Sequence, residues 1–186
     1  MKTSPSNSET IDLDDYKSNV DDTLRAMRRF DRSLPMSLLK AHEAVLRMFM
    51  PHLRAHDLST QQWRVMRALA ETDALDISEL ADRCSLLRPS VSRILQNLES
   101  RGITRRKTCR QDSRRSLVSI TPKGRRLIAE IAPESEARYD FIESQVGRDK
   151  LTQLYDLLDH LVRALDHPVP AFGELEGERD LGGVSD

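Results

Sequence analysis

The side chains best equipped to do chemistry in this chain are arginines. Between Arg88 and Arg126 the basic residues outnumber the acidic ones, Glu99 and Asp112, so heavily that the window carries +10. The whole chain is −1, which leaves −11 for the remainder. A guanidinium presents a planar fork of donors that matches phosphate and carboxylate oxygens two at a time. One strongly cationic face on a near-neutral protein is the electrostatic footprint of a phosphate-backbone partner. A charge run is more often a solvated surface. Here it coincides with a helix-turn-helix pattern and a hairpin, which favours nucleic acid.

Catalytic chemistry finds little to work with. There is no Gly-rich phosphate loop and no Cys-x-x-Cys, and the histidines at 42, 52, 56, 160 and 167 are scattered. His52 and His56 have the i, i+4 spacing that suits a metal, but no third ligand stands nearby, and a helix surface is the expected place for both. Two cysteines, Cys84 and Cys109, form neither a disulfide framework nor a four-ligand zinc site. Cys109, among arginines, has the surroundings of a low-pKa thiolate, so a redox switch through Cys109 or Cys84 stays open beside the bystander reading. No catalytic residue, cofactor or metal is expected, and the chain does not read as an enzyme.

The elements that must position the arginines follow from periodicity. From Asp76 to Gly124 the pattern gives a short helix, a turn, a second helix from about Arg88 to Ser100, and strands at Ile103–Thr108 and Ser116–Ile120 joined by the loop Cys109–Arg115. Val91, Ile94, Leu95 and Leu98 make the inner face of the second helix. Arg88, Ser90, Ser92, Arg93, Gln96 and Asn97 take the other side, where they can donate to phosphates and base edges, and a major groove admits a helix. Gly102 sits in the glycine position just past a helix end. Leu87 occupies the cap position without a side chain able to cap, while Pro89 fits the first turn.

Around this core the pattern is helical. A helix from Leu34 to about Arg54 has an apolar stripe broader than a monomer needs, which predicts burial against a second chain; Pro51 should kink or end it. Ser59 and Gln62 form a capping box opening the next helix, with Trp63, Met66 and Leu69 inward, and Asp76 with Glu79 repeats the device. Past Thr121-Pro122 a helix runs to about Ala132 or, through Pro133, toward Val146; a last one spans Asp149–Leu165. The fold class is therefore mainly α with a small β-hairpin, a winged helix-turn-helix DNA-binding domain plus terminal helices forming a dimerisation region. Residues 1–32 read as a flexible acidic extension with one or two helical turns between Asp21 and Arg29. Residues 33–166 are the domain, 76–124 its DNA-binding core, and 167–186 a disordered acidic tail.

With 186 residues, 32% charged and 4% aromatic, the chain suits one helical domain with a core of Leu, Ile, Val and Met. No apolar run reaches bilayer-spanning length and no signal-peptide core opens the chain, so a cytoplasmic protein without a membrane partner is expected.

The order of elements, with Asp112-Ser-Arg114-x-x-x-Val118-x-Ile120-Thr121-x-x-Gly124, resembles the MarR family of bacterial transcription regulators, whose wing reads Asp-x-Arg-x-x-x-Val-x-Leu-Thr-x-x-Gly. Ser33-Leu-Pro-Met36, Gln62-Trp-Arg-Val65, Arg67-Ala-Leu69 and Cys84-Ser-Leu-Leu-Arg-Pro89 look like one branch, the regulators of homoprotocatechuate (aromatic acid) degradation. The resemblance covers about Ser33 to Leu165. It implies a homodimeric repressor on a pseudo-palindromic operator of double-stranded DNA, with each recognition helix in a major groove and each wing tip in a flanking minor groove. Arg114 can enter that narrow, electronegative groove. Asp112 can brace its guanidinium or cap the loop as an Asx turn. Arg105, Arg106, Arg110 and Arg115 are candidates for phosphate.

The family also implies an aromatic carboxylate effector, for which Ser33, His42, Trp63 and Arg88 are the candidates. The branch has arginine where this chain has His42. Trp63 can equally be core, and Arg88 can equally contact phosphate. Repression of a catabolic operon, relieved by ligand, is the family default. A winged helix that binds protein rather than DNA is the remaining alternative.

Overall fold

A computed structural model describes residues 13–108 and 116–168. The chain divides into two compact units, Met1–Thr121 and Pro122–Asp186.

The first unit opens with α1 (Leu13–Ala26), a short 3-10 turn (Phe30–Arg32) and α2 (Leu34–Ala55). Helix α1 is longer than the one or two turns expected between Asp21 and Arg29. Helix α2 runs through Pro51 rather than ending there. A proline deletes one helical hydrogen bond, and the buried Phe49, His52 and Leu53 around it hold the last turn in place.

Next come α3 (Thr60–Ala70), the two-residue β1 (Leu75–Asp76), α4 (Ile77–Arg83), α5 (Arg88–Ser100), β2 (Thr104–Thr108) and β3 (Ser116–Ile120). Helix α3 starts on the expected capping box: Ser59 Oγ accepts from the Gln62 N–H (3.1 Å), and Gln62 Oε1 accepts from the Ser59 N–H (2.8 Å). Asp76 and Glu79 do the same for α4. Each box satisfies donors that a helix start otherwise leaves open.

The ends of α2, α4 and α5 share one device. Leu58, Leu86 and Ile103 donate their N–H groups to the carbonyls of Leu53, Ala81 and Leu98, each at 2.9 Å. Asp57, Ser85 and Gly102 supply the intervening left-handed residue at φ 54°, 49° and 69°. The expected glycine serves α5; Asp and Ser do the same work elsewhere.

The hairpin is part of a three-stranded antiparallel sheet ordered β1-β3-β2, a strand more than the sequence pattern predicts. Val118 lies opposite Arg106 on one side and Leu75 on the other. Leu53, Val65, Met66, Leu69, Leu80, Val91, Leu95, Leu98, Ile103 and Val118 are buried together where α3 meets α5 and the sheet. Burying a side chain of this size stabilises by about 1.5–3 kcal/mol.

The second unit is a helical pair. Helix α6 (Pro122–Val146) continues through Pro133, and α7 (Arg148–Leu165) packs against it after Gly147, whose φ is 93°. Tyr155, Leu157, Val162 and Leu165 of α7 are exposed. Among the described residues no helix is long and apolar enough to cross a membrane.

Candidate nucleic-acid interface

Helix α5 is seated by α3 and α4, with Val91, Leu95 and Leu98 inward. The helical repeat then puts Pro89, Arg93, Gln96 and Ser100 on the outermost line, and all four are exposed. Arg88 and Ser92 flank that line on one side; Ser90 and Asn97 flank it on the other. Arg88 is exposed, while Ser90 and Ser92 are half-buried. As expected, Leu87 caps the helix with no side-chain hydrogen bond, and its own side chain is exposed. The first-turn N–H groups thus face a position without a competing side-chain oxygen.

Three candidates, Arg106, Asn97 and Arg105, are engaged within the fold. Arg106 Nε lies 3.3 Å from Glu99 Oε1, which ties the base of the wing to the recognition helix. Asn97 Oδ1 accepts from Gln62 Nε2 at 2.8 Å. Arg105 Nε donates across the hairpin to Ser119 Oγ at 3.1 Å. Lys107 on the same strand is exposed. Arg110, Asp112, Arg114 and Arg115, with Cys109, lie outside the described residues.

The least legible contribution is that of Arg101. Its guanidinium donates to the carbonyls of Asp57 (2.7 Å) and His56 (3.1 Å), so the end of α5 is clamped to the turn after α2. No local spacing announces a contact across more than forty residues. Arg64 plays a similar part, donating to the Cys84 carbonyl at 3.0 Å and joining α3 to the end of α4.

The effector candidates stand in separate local settings. Ser33 precedes α2 and donates Oγ–H to the Phe30 carbonyl (2.9 Å). His42 is exposed on α2, with Nδ1 3.8 Å from Glu43 Oε1. Trp63 is half-buried on α3, with the Arg67 guanidinium 5.9 Å from its ring centroid, a cation–π arrangement. Arg88 heads α5. A depression of ≈ 450 Å³ lies elsewhere, lined by Met50, Arg54, Asp57, Leu58, Ser59 and Thr60, and contains none of the four.

His52 is not on a helix surface as the sequence suggests. It is 3% exposed, its ring 5.9 Å from that of Phe49. Among the described residues no group of three His, Cys, Asp or Glu could hold a metal. Cys84 is buried, and loss of water pushes its thiol above the ordinary value of 9.0 despite the opposing pull of Arg64 and Arg83.

Comparison with known proteins bears on this arrangement. A family model described as MarR family matches residues 56–115. The chain is 40% identical over 134 residues to the HTH-type transcriptional regulator FarR of Neisseria gonorrhoeae, covering 72% of this chain and 92% of FarR. It is 37% identical over 130 residues to the homoprotocatechuate degradative operon repressor of Escherichia coli, covering 70% and 88%. Among solved structures, NadR in complex with 4-hydroxyphenylacetate is similar, with 38% identity, a TM-score of 0.64, and coverage of 73% of this chain and 96% of that one.

Proposed function

Because the chain belongs to the MarR family of transcription regulators, we propose that it is a homodimeric repressor of a catabolic operon, released from its pseudo-palindromic operator by a small aromatic carboxylate. The chain is a regulator of transcription and not an enzyme. Residues 33–166 form the regulator, with 76–124 reading DNA; residues 1–32 extend it and 167–186 trail it, and the protein works in the cytoplasm.

The observation that carries the reading is the outer line of α5. Arg93 and Gln96 stand exposed on a helix whose inner face is locked into the core, inside a window of +10. Arginine pairs with guanine and glutamine with adenine edges in a major groove. Arg88, Ser90 and Ser92 approach the backbone beside them, and Asn97 presents its amide N–H groups. At the wing, Arg114 enters the minor groove with Asp112 bracing it, while Arg105, Arg110 and Arg115 neutralise phosphate. The Arg106 ion pair with Glu99 supports a role for Arg106 in fixing the wing against α5.

For the effector, the ligand named for NadR supports an aromatic acid. Trp63 supplies a ring face, with Arg67 adding a cation beside it; Arg88 pairs with carboxylate, and Ser33 and His42 donate hydrogen bonds. The redox alternative now falls on Cys109, because burial keeps Cys84 protonated.

The test is a gel shift on the DNA flanking the protein's own gene at moderate salt. The expected result is a discrete complex that weakens with added salt and dissociates with 4-hydroxyphenylacetate. Failure to form a complex favours a protein-binding winged helix. A complex indifferent to phenolic acids, none of which raises the melting temperature, removes the effector part.

A further inference from the structure

Leu87 departs from two local rules at once. It holds the cap position of α5, where a Ser, Thr, Asp or Asn side chain would accept from a first-turn N–H, and it accepts nothing there. It is also a large apolar side chain left 76% exposed. A single exposed leucine is ordinary on a protein surface. At this position, however, the fold forgoes the stability of a cap and recovers none of it by burial. A local rule broken without structural compensation marks a place where function is expected.

The surroundings say which function. Leu87, Arg88 and Pro89 form an exposed run at the head of α5. The N-terminal residues of a recognition helix are the ones that reach base edges. One turn on, Val91 is buried, and its N–H donates to the Leu87 carbonyl at 3.0 Å. The backbone of Leu87 is thus anchored to the seated helix while its side chain is uncovered. The window of +10 opens at the very next residue, Arg88, and such charge draws in phosphate rather than an apolar protein face. Among the groups that bases present in a major groove, the C5 methyl of thymine is the apolar one. A leucine can neither donate nor accept a hydrogen bond, so that methyl is the group it matches.

We propose that Leu87 is a specificity-determining residue that packs against a thymine methyl at the head of each recognition helix. It rests on the operator-binding regulator proposed above. To Arg93 and Gln96, which match hydrogen-bonding edges, it adds a contact that reads an apolar group.

The experiment titrates the full chain against the DNA flanking its own gene, made with thymine or with deoxyuridine throughout. Uracil lacks the methyl and keeps every hydrogen-bonding group. Losing one buried methyl from each half-site weakens wild-type binding about tenfold. Leu87→Ala binds thymine DNA at least as weakly as the wild type binds uracil DNA, and it does not distinguish the two. Leu87→Ser also loses the preference but supplies the missing cap, so its melting temperature rises by about 2–4 °C. Weaker binding by a more stable protein does not come from unfolding. Uracils placed singly then find one sensitive thymine in each half-site. A wild type that binds both duplexes alike overturns the contact, and so does a Leu87→Ala variant that keeps the tenfold preference. A wild type that forms no complex on thymine DNA overturns the regulator reading and the contact with it.

Discussion

Gln62 Nε2 donates to Asn97 Oδ1 at 2.8 Å while Gln62 Oε1 accepts from the Ser59 N–H at the same distance. One side chain thus closes the capping box of α3 and orients an amide on the recognition helix. With its oxygen committed inward, Asn97 turns its NH2 group outward and presents donors alone. A free asparagine can bind adenine through both atoms; this one is suited to acceptors, such as phosphate oxygens or purine N7.

Gln62→Glu separates the two duties. A carboxylate still accepts from Ser59, so the capping box survives and stability changes by less than about 0.5 kcal/mol. It cannot donate to Asn97, whose amide must flip and face outward with its oxygen. Operator affinity should fall about tenfold, the worth of one well-placed hydrogen bond to a charged group. A melting curve and a gel shift on the same preparation read both; equal losses in stability and affinity would mean that Gln62 is only a cap.

Arg93 on the outer line of α5 and Lys107 on β2 predict different salt behaviour, and the Arg106 ion pair predicts a small effect on stability. Arg93→Ala should cost about 1–3 kcal/mol of operator binding and relax preference at one base position, with little change in the salt dependence if the contact is to a base. Lys107→Ala should weaken all sequences alike and lower the salt slope by about one. Glu99→Gln frees Arg106 and should leave stability within about 0.5 kcal/mol, because a half-exposed pair is weak. Titrations at several salt concentrations against operator and scrambled duplexes distinguish the first two, and a melting curve reads the third.

Capping boxes and the glycine after α5 could be read directly because each is written in neighbouring residues. Ser59 to Gln62 and Asp76 to Glu79 are three apart, and the structure uses both as expected. What escaped the sequence is what depends on distant chain segments. Strand β1 is two residues long and exists through its pairing with β3. Arg106 meets Glu99, Asn97 meets Gln62, and Arg101 reaches the turn after α2, each through a long side chain whose partner no spacing rule identifies. His52 shows the same limit from the other side. Its polarity suggests surface, and only tertiary packing puts its ring beside Phe49.

Arg101 leads to the sharpest stability prediction. It makes two charge-assisted hydrogen bonds to carbonyls at the turn where Asp57 adopts φ 54°. Arg101→Ala strips both and should destabilise the first unit by about 1.5–3 kcal/mol, read as a lower urea midpoint with an unchanged slope. Asp57→Gly keeps the carbonyl and relieves the left-handed strain, so it should stabilise by up to about 1 kcal/mol. If Arg101→Ala has no effect on the midpoint, the clamp carries no energy.

Cys84 gives a pH dependence whose sign can be worked out. Its folded pKa is raised by burial above the ordinary 9.0. Well below pH 9 the thiol is protonated in both states and contributes nothing to the slope. As pH rises past 9 the unfolded chain releases the proton while the folded chain holds it, so the folded state binds more protons and stability falls with pH. Cys84→Ala should lower stability overall by leaving a small void, yet flatten the decline between pH 9 and 10 when urea midpoints are compared. The same burial predicts that peroxide at pH 7.5 leaves Cys84 unmodified in the folded protein and that DNA binding is indifferent to Cys84→Ser. Peroxide-sensitive DNA binding abolished by Cys109→Ser would place redox control in the wing. Sensitivity abolished by Cys84→Ser instead would mean that α4 opens enough to expose its last turn, contrary to a core in which Cys84, Leu80 and Ala81 are buried together.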